Sequence, residues 1–261
     1  MAWLRRALAC LFSVLALSVC ASAAAQPAPH WVALLNGRNL DGWTPKFDGF
    51  PLGENYLNTF RVEHGRLVVS YDRYTAMEGH FGHLFYARRP FSNYRLRAIY
   101  RFVGHQIPGA PDWALRNNGL MIHSQPPETM GLNQDFPISL EVQLLGGDGV
   151  HPRPTANLCT TGTTVLINGA RNTEHCINST SPTFTDGQWA TVEVEVHSDQ
   201  SIRHFVNGVE VMRYSAPQLT EAHPWSPTLE LKSGYITIQA ESTPTEFRSI
   251  EIMDLDPPAA H

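Results

Sequence analysis

The stretch SLEVQLL, residues 139–145, alternates between residue types with the period of two that is typical of a β-strand. Its apolar positions on one face are expected to pack in a hydrophobic core: Leu140, Val142 and Leu144. Glu141 and Gln143 share the opposite face. A buried face does not tolerate an acid and an amide without partners, so this face is expected to line water, a ligand or a polar network.

Further short runs with the same period, rich in Val, Ile, Phe and Tyr, occur along the chain and are separated by turn dipeptides such as Asn-Gly and Asp-Gly. We find no long helical period after the N-terminal segment. This pattern predicts an all-β fold, a two-sheet jelly-roll sandwich, in a single domain over residues 26–261. The runs are RLVVS, NYRLRAIYRFV, GLMIHS, ATVEVEVHS, IRHFVNGVEVMRY, GYITIQAES and EFRSIEIMDL.

The N-terminus has the features of a secretory signal peptide. Arg5 and Arg6 precede an apolar run over residues 7–19, and small residues offering A-x-A cleavage sites follow. We therefore expect residues 1–25 to be a cleaved signal and the mature protein to be exported, to the periplasm or the medium. A membrane anchor and a lipoprotein lipidated at Cys20 are the alternatives. No other run predicts a membrane span.

Charge argues against nucleic acid as a partner. The chain has 19 Lys and Arg against 24 Asp and Glu, a formal net charge of −5. Loss of the leader with its two arginines makes this −7, and binding to phosphate backbones depends on clustered basic residues.

Two cysteines remain in the expected mature chain, Cys159 and Cys176, and we predict that they form a disulfide that closes an irregular segment. The alternative is a metal-binding pair. Their spacing, with sixteen residues between them, is unlike the short spacing of zinc sites.

Seven segments in order resemble the family of 3-keto-disaccharide hydrolases, which have a concanavalin A-like jelly roll. The resemblance implies carbohydrate chemistry on a concave sheet face with Glu141 at its centre, and a separate sugar-oxidising oxidoreductase as a functional partner. Thr243 departs from the pattern, since related sequences often have His there. The segments are WVALLNGRNLDGW, FSNYRLRAIYRF, NNGLMIHSQ, LEVQLLGGDGVH, GQWATVEVEVH, IRHFVNGVEV and GYITIQAESTPTEFRSIEI.

Glu141 and His123 are the candidate catalytic residues, because His123 is predicted to lie on the strand next to that of Glu141 and to face the same groove. A ketone at C3 of a sugar acidifies the C2 hydrogen, so either side chain is a sufficient base. Four further residues are candidates for substrate binding: Gln143, Asn118, His151 and Glu241. The structural alternatives are a hydrogen-bonded structural histidine on a strand for His123, a turn role for Asn118, a solvated loop for His151, and a cross-strand polar pair for Glu241.

Three alternatives remain open from the residues alone: a conventional glycosidase, a metal-dependent reaction and a non-catalytic binding module. A conventional glycosidase needs two facing carboxylates, and EVQLL offers one; Glu241 on another strand is the candidate for the second. No cofactor is required by the sequence, and a divalent metal such as Mn or Ca is an alternative that no ligand spacing demonstrates. The third is a non-catalytic lectin-like module that binds glycans through aromatic side chains, among them Trp43, Trp113, Trp225, Tyr71, Tyr74 and Tyr86.

Overall fold

The computed structural model describes residues 28–256, and the expected signal peptide and Cys20 lie outside that range. Three short 3-10 helices span Tyr56–Asn58, Asp112–Ala114 and Pro127–Thr129. The β-strands are β1 Val32–Ala33, β2 Trp43–Phe47, β3 Phe60–Glu63, β4 Arg66–Val69, β5 Gly82–Phe91, β6 Asn93–Phe102, β7 Asn117–Ser124, β8 Ser139–Leu145, β9 Asn157–Thr161, β10 Thr163–Ile167, β11 Ala170–Arg171, β12 Cys176–Ile177, β13 Ala190–His197, β14 Ser201–Val206, β15 Val209–Leu219, β16 Gly234–Ala240 and β17 Thr245–Asp254.

These strands form two antiparallel sheets, which confirms the predicted all-β jelly roll. One sheet has the order β11-β10-β15-β14-β13-β6-β17-β4-β3, with β1 paired to β17. The other has the order β12-β9-β8-β7-β16-β5-β2. We call them the ten-stranded and the seven-stranded sheet. In the part of the chain that is described, no helix is long and apolar enough to cross a membrane.

The alternation in β8 places its two faces as the sequence predicts. Leu140, Val142 and Leu144 are fully buried in the core cluster between the sheets. Fully burying one such leucine stabilises the fold by about 1.5–3 kcal/mol. Glu141 and Gln143 therefore project from the other side of the seven-stranded sheet.

The hairpin between β14 and β15 shows how the turn residues fix the strand register. Asn207 and Gly208 have φ angles of 48° and 83°. A two-residue hairpin of type I′ needs positive φ at both central positions, and Asn-Gly is the preferred pair. The turn thereby aligns Val206 with Val209.

The outward face of the ten-stranded sheet carries cross-strand pairs of arginine and glutamate. Arg97 donates to Glu251 at 2.8 Å and Arg101 to Glu246 at 2.8 Å. Arg203 is likewise paired with Glu195, which also accepts from His197 at 2.8 Å. Arg97, Arg101 and Arg203 on this face therefore each have a neighbour of opposite sign on an adjacent strand.

Cys159 and Cys176 form the predicted disulfide. The bond joins β9 to β12 at the edge of the seven-stranded sheet, where the two cysteines are register partners. Since β12 has only two residues, the disulfide is its strongest connection to the sheet.

Candidate active site

A cavity of about 380 Å³ opens on the concave face of the seven-stranded sheet, and we call it the pocket. This volume is in the range of pockets that hold small ligands. Strands β7, β8, β9, β12 and β16 form its floor, and loop residues form its walls. Its lining is Trp113, Asn117, Phe136, Glu141, Gln143, Cys159, Thr161, His175, Cys176, Gln239 and Glu241.

Two carboxyl groups are buried together in the pocket. Glu141 lies on β8 and is 5% exposed, and Glu241 directly follows β16 and is 3% exposed. Oε1 of Glu141 and Oε2 of Glu241 are buried and have no hydrogen-bond partner among the described residues. No salt bridge to either group is present in residues 28–256.

Burial and mutual repulsion keep this pair from being fully ionised. Loss of hydration raises the pKa of Glu141 to about 8. Burial raises the pKa of Glu241 well above its usual value, and the charge of Glu141 raises it further. The two groups titrate as a coupled pair, so at neutral pH the pair retains at least one proton. A pocket that holds a proton between two carboxyls can both donate and accept protons.

Gly119 on β7 leaves the space in which Glu141 and Gln239 meet. A Cβ atom at this position would lie 2.6 Å from Oε1 of Glu141 and 2.9 Å from Oε1 of Gln239. Real Cβ atoms essentially never approach this closely, so a side chain at this position would force Glu141 and Gln239 to shift. The Oε1 atom of Gln239 is also buried without a partner in the described chain.

Trp113 and Phe136 line one side of the pocket, and Phe81 packs against both of them. We call these three residues the aromatic wall. The ring of Phe81 lies 5.5 Å from that of Trp113 and 5.2 Å from that of Phe136. Trp113 is 52% exposed. An exposed tryptophan beside a polar floor is a suitable surface for stacking a sugar ring.

The disulfide and His175 line the pocket on the side of β9 and β12. Cys159 is the register partner of Glu141, so the disulfide lies one strand away from the acid. The backbone carbonyl of His175 accepts a hydrogen bond from the Thr160 amide at 2.8 Å. Nδ1 of the His175 ring lies 3.1 Å from the Thr160 carbonyl oxygen. The position of the imidazole therefore depends on the pairing of β12 with β9.

Of the predicted binding residues, Gln143 and Glu241 line the pocket and Asn118 does not. Oε1 of Gln143 accepts from Nδ2 of Asn157 at 3.0 Å, which orients the amide. Asn118 is on the core side of β7, and its Nδ2 donates to the Gln239 carbonyl at 2.8 Å. It ties β7 to β16, and its neighbour Asn117 lines the pocket instead.

The prediction that His123 shares a groove with Glu141 is not met by the structure. A bulge shifts the pairing of β7 with β16 at this point, and His123 has a positive φ of 50°. The ring faces the core side, where Nε2 lies 3.2 Å from the Ser198 carbonyl oxygen and Tyr94 packs edge-on. The close approach of β16 here requires Gly234, because a Cβ would lie 2.4 Å from the His123 carbonyl carbon.

His151 is also away from the pocket. Its side chain is 73% exposed, and its Nδ1 lies 2.9 Å from Oδ2 of Asp148 in the turn after β8. The backbone amide of His151 also donates to Oδ1 of Asp148 at 2.8 Å. This is the solvated loop that the sequence left open as its alternative role.

Most of the aromatic residues considered for a lectin have structural positions. Trp43 is buried and its indole donates to the Leu34 carbonyl at 2.8 Å, and Tyr86 packs edge-on against it at 5.2 Å. Tyr71 is buried beside Glu241. Burial raises the pKa of Tyr71 well above its usual value, and the charge of Glu241 adds to this shift. Only Trp113 of this set lines the pocket.

Two other sequence observations have a structural outcome. Thr243, at the position where related sequences often have His, accepts a hydrogen bond from the Arg116 amide at 2.9 Å with its hydroxyl. Within residues 28–256, no three His, Cys, Asp or Glu side chains are grouped so that they could hold a metal ion.

Sequence reasoning missed Gln239, His175, Asn117 and Phe136, and it named Trp113 only as a candidate of the lectin-like alternative. Gln239 could have been found, because it lies two residues before Glu241 on a strand with period two and so shares its face. His175 adjoins a predicted disulfide, but nothing local places that disulfide beside Glu141. Trp113 and Phe136 are on loops whose path over the sheet has no periodic signal.

Comparison with known families gives a match over nearly the whole described chain. The family described as the 3-keto-alpha-glucoside-1,2-lyase-like domain matches residues 30–253. A comparison with curated proteins gave no match.

Two solved structures are similar in fold. A candidate glycosyl hydrolase from Parabacteroides distasonis is 18% identical with a TM-score of 0.53, and the match covers 87% of this chain and 94% of that one. The laminarinase from Rhodothermus marinus is 12% identical with a TM-score of 0.51, over 87% of this chain and 99% of that one. At these identities the likeness concerns the fold alone.

Proposed function

The chain belongs to the family of the 3-keto-alpha-glucoside-1,2-lyase-like domain, which places it among carbohydrate-active enzymes, and from this premise we propose that it cleaves the glycosidic bond of a 3-keto disaccharide or 3-keto glycoside. The observation that supports the proposal best is the pair of buried, unpartnered carboxyl groups, Glu141 and Glu241, in one pocket. Burying acids without partners destabilises a fold, so a site that retains two of them has a use for their protons.

The reaction uses the acidity that a ketone at C3 gives to the C2 hydrogen. The ionised carboxylate of the pair removes that proton, and the electrons of the C2–H bond form an enolate whose charge is on the C3 oxygen. When the carbonyl re-forms, a double bond forms between C1 and C2 and the C1–O bond breaks. The protonated carboxyl gives its proton to the leaving oxygen. Addition of water at C1 and C2 of the product completes a net hydrolysis.

Neutral groups of the pocket support the two acids. Gln239 lies beside Glu141 above Gly119, and Gln143 is held by Asn157. Amide groups are suited to stabilise an enolate oxygen because they donate hydrogen bonds without becoming charged. The exposed face of Trp113 offers stacking for the sugar or for the leaving group.

Direct hydrolysis of an unoxidised glycoside is the second candidate, and the presence of a second carboxyl in the pocket favours it. Such an enzyme also uses one acid and one base or nucleophile across the scissile bond. The two reactions differ at C2, because elimination breaks the C2–H bond and direct hydrolysis leaves it intact. The lectin-like alternative predicts binding without any turnover.

The test compares substrates and follows the C2 hydrogen. Purified protein is incubated in D2O with a glucoside, a glucose disaccharide and the 3-keto derivative of each. We expect cleavage of the 3-keto compounds only, with deuterium entering at C2. Cleavage of the parent glucosides without exchange would favour direct hydrolysis, and glycan binding without cleavage would favour the lectin.

The proposal includes a compartment and a partner reaction. The disulfide is consistent with an oxidising compartment, and export fits the expected signal peptide. A 3-keto sugar arises from an ordinary glycoside by oxidation at C3, so a separate sugar-oxidising oxidoreductase would supply the substrate.

A further inference from the structure

His83 on β5 is a buried histidine that the proposed reaction does not use. It is fully buried, and the described residues offer no hydrogen-bond partner to its Nδ1 or its Nε2. Its register partners are Lys46 on β2 and Gln239 on β16, and Gln239 lines the pocket. His83 therefore lies on the strand next to the pocket floor.

A second buried histidine shows what a structural role looks like in this fold. His204 on β14 is also fully buried, but its Nδ1 lies 2.9 Å from the Ala156 carbonyl oxygen and its Nε2 lies 2.9 Å from the Tyr214 hydroxyl. Leaving a buried polar group without a partner destabilises the folded state. His83 bears this cost at both nitrogens, and His204 at neither.

Phe136 separates His83 from the pocket. Its ring lies 5.5 Å from the imidazole at an angle of 78°, and the same ring is part of the aromatic wall. Phe136 belongs to the segment over residues 125–138, which runs across the concave face and which we call the covering segment. The Phe136 ring therefore contacts the imidazole and also lines the pocket that holds Glu141.

The covering segment is attached by a small number of hydrogen bonds. Leu132 provides a carbonyl that accepts from Nζ of Lys46 at 2.9 Å and from the Gly49 amide at 2.9 Å. At its base, Oε1 of Gln125 accepts from Gln134 at 2.7 Å and from the Ile138 amide at 2.8 Å. Leu132 itself is 55% exposed, so little apolar packing holds the tip in place.

We propose that His83 is a substrate-contacting residue, which hydrogen-bonds an oxygen of the sugar when the Phe136 ring moves out of the gap between them. This inference rests on the proposed function, because it requires a sugar in the pocket. An imidazole with both nitrogens free can donate with one and accept with the other, which matches a sugar hydroxyl.

The charge state of His83 fits this role. Burial, followed by the nearby positive charge of Lys46, lowers its pKa to about 3, so the ring is neutral at physiological pH. A neutral ring binds a neutral sugar oxygen without the loss of hydration that a cation would suffer.

The first test observes the ring directly in wild-type protein. The probe is 3-keto-1,5-anhydroglucitol, which has no glycosidic bond to cleave, added to protein labelled with 15N at histidine. We expect the ring nitrogens of His83 to shift on binding while those of His204 stay in place. Saturable binding with unmoved His83 nitrogens would overturn the inference and leave the proposed function standing. Absence of both binding and cleavage would overturn both.

The second test uses substitutions that keep the packing. His83→Phe retains a ring against Phe136 but has no nitrogen, and His83→Gln restores a donor and an acceptor. We expect kcat/KM for the 3-keto glycoside to fall about tenfold in His83→Phe, the loss of one neutral hydrogen bond, and to recover in part in His83→Gln. A folded His83→Phe protein with wild-type kcat/KM would refute the inference.

Two controls separate contact from structure. His204→Phe should lower the unfolding temperature and leave KM of the folded protein unchanged, because its nitrogens bond to the protein. Phe136→Ala should shift the His83 nitrogens in the absence of any ligand, since water then reaches the ring. If the His83 signals of Phe136→Ala match those of wild type, Phe136 is not the cover and the inference fails.

Discussion

Glutamates on the two sheets of this protein differ in their partners. On the outward face of the ten-stranded sheet, Glu195 is bound by Arg203 and His197, and Glu246 by Arg101. On the concave face of the seven-stranded sheet, Glu141 and Glu241 have carboxylate oxygens with no partner in the described chain. Glutamates on the ten-stranded sheet are therefore paired with basic residues, whereas those on the concave face of the seven-stranded sheet lie beside another acid.

The difference is visible in the direction of the pKa shifts. Burial would raise the pKa of Glu195, but hydrogen bonds from Arg203 and His197 outweigh it and the pKa is lowered. For Glu141 and Glu241 nothing opposes burial, and both pKa values are raised. Paired acids stabilise a fold near neutral pH, whereas unpaired buried acids are a cost that only function explains.

The largest expected effect is on turnover in Glu141→Gln. The amide has the shape of the acid but cannot exchange a proton, so kcat for the 3-keto glycoside should fall by about 10²–10⁴-fold. The unfolding temperature should be unchanged or higher, because an unpaired acid has been removed from the interior. Steady-state kinetics and calorimetry on the same sample measure both.

Glu195→Gln is the matched control, the same substitution at a paired acid. We expect wild-type turnover and a small loss of stability, since a partly exposed ion pair contributes little. If Glu195→Gln and Glu141→Gln lose turnover equally, the contrast between the sheets does not mark function.

The disulfide should affect stability next in size. It closes a separation of 17 residues, for which chain entropy predicts about 3 kcal/mol. A Cys159→Ser and Cys176→Ser double variant should therefore melt roughly 6–12 °C lower than wild type. Intact mass with and without reductant first verifies that the purified protein contains the bond, and two free thiols in protein from an oxidising compartment would contradict it.

Much of the fold was predictable because strand alternation is a local signal. The period of two in β8 placed Leu140 in the core and Glu141 on the concave face, and Asn207-Gly208 identified a hairpin. Strands that lack this alternation, such as β5 with its RRP sequence, were not identified. Their assignment depends on neighbours in the sheet that a single strand does not specify.

The site was only partly predictable because it is built from non-local pairings. Glu141 and Glu241 were candidates on the sequence, but their meeting depends on the sheet order β8-β7-β16. His123 failed because one bulge reverses the faces beyond it, and a bulge has no dependable sequence signal. Asn118 has the parity of Leu120 on β7, so its place on the core side follows from the alternation itself.

Gly119→Ala sharpens the comparison within the concave face. The new methyl group would press on Glu141 and Gln239, and overpacking of this kind costs about 1–3 kcal/mol. Because the carboxyl is displaced, kcat should fall by more than the stability loss explains. A variant with unchanged turnover would indicate that the position of Glu141 above Gly119 is not needed.

The last expected effect is a slope of stability with pH, and its sign separates the two kinds of glutamate. The folded pKa of Glu141, about 8, exceeds its unfolded value, so the stability that its protonated form gives is present at low pH and is lost as pH rises to about 8. Relative to wild type, Glu141→Gln should gain up to about 1 kcal/mol per pH unit between pH 5 and 8. Glu241 titrates with it, so adding Glu241→Gln should increase the gain.

Glu195 has the opposite sign. Its folded pKa is lowered, so its contribution is complete above the unfolded value and is lost only as pH falls through the folded one. The stability difference between Glu195→Gln and wild type should therefore be flat from pH 5 to 8. Urea unfolding at four pH values measures both stability differences. If the difference between Glu141→Gln and wild type does not change with pH, the Glu141 carboxyl is ionised in the folded protein. The pocket then does not hold the proton on which the proposed chemistry depends.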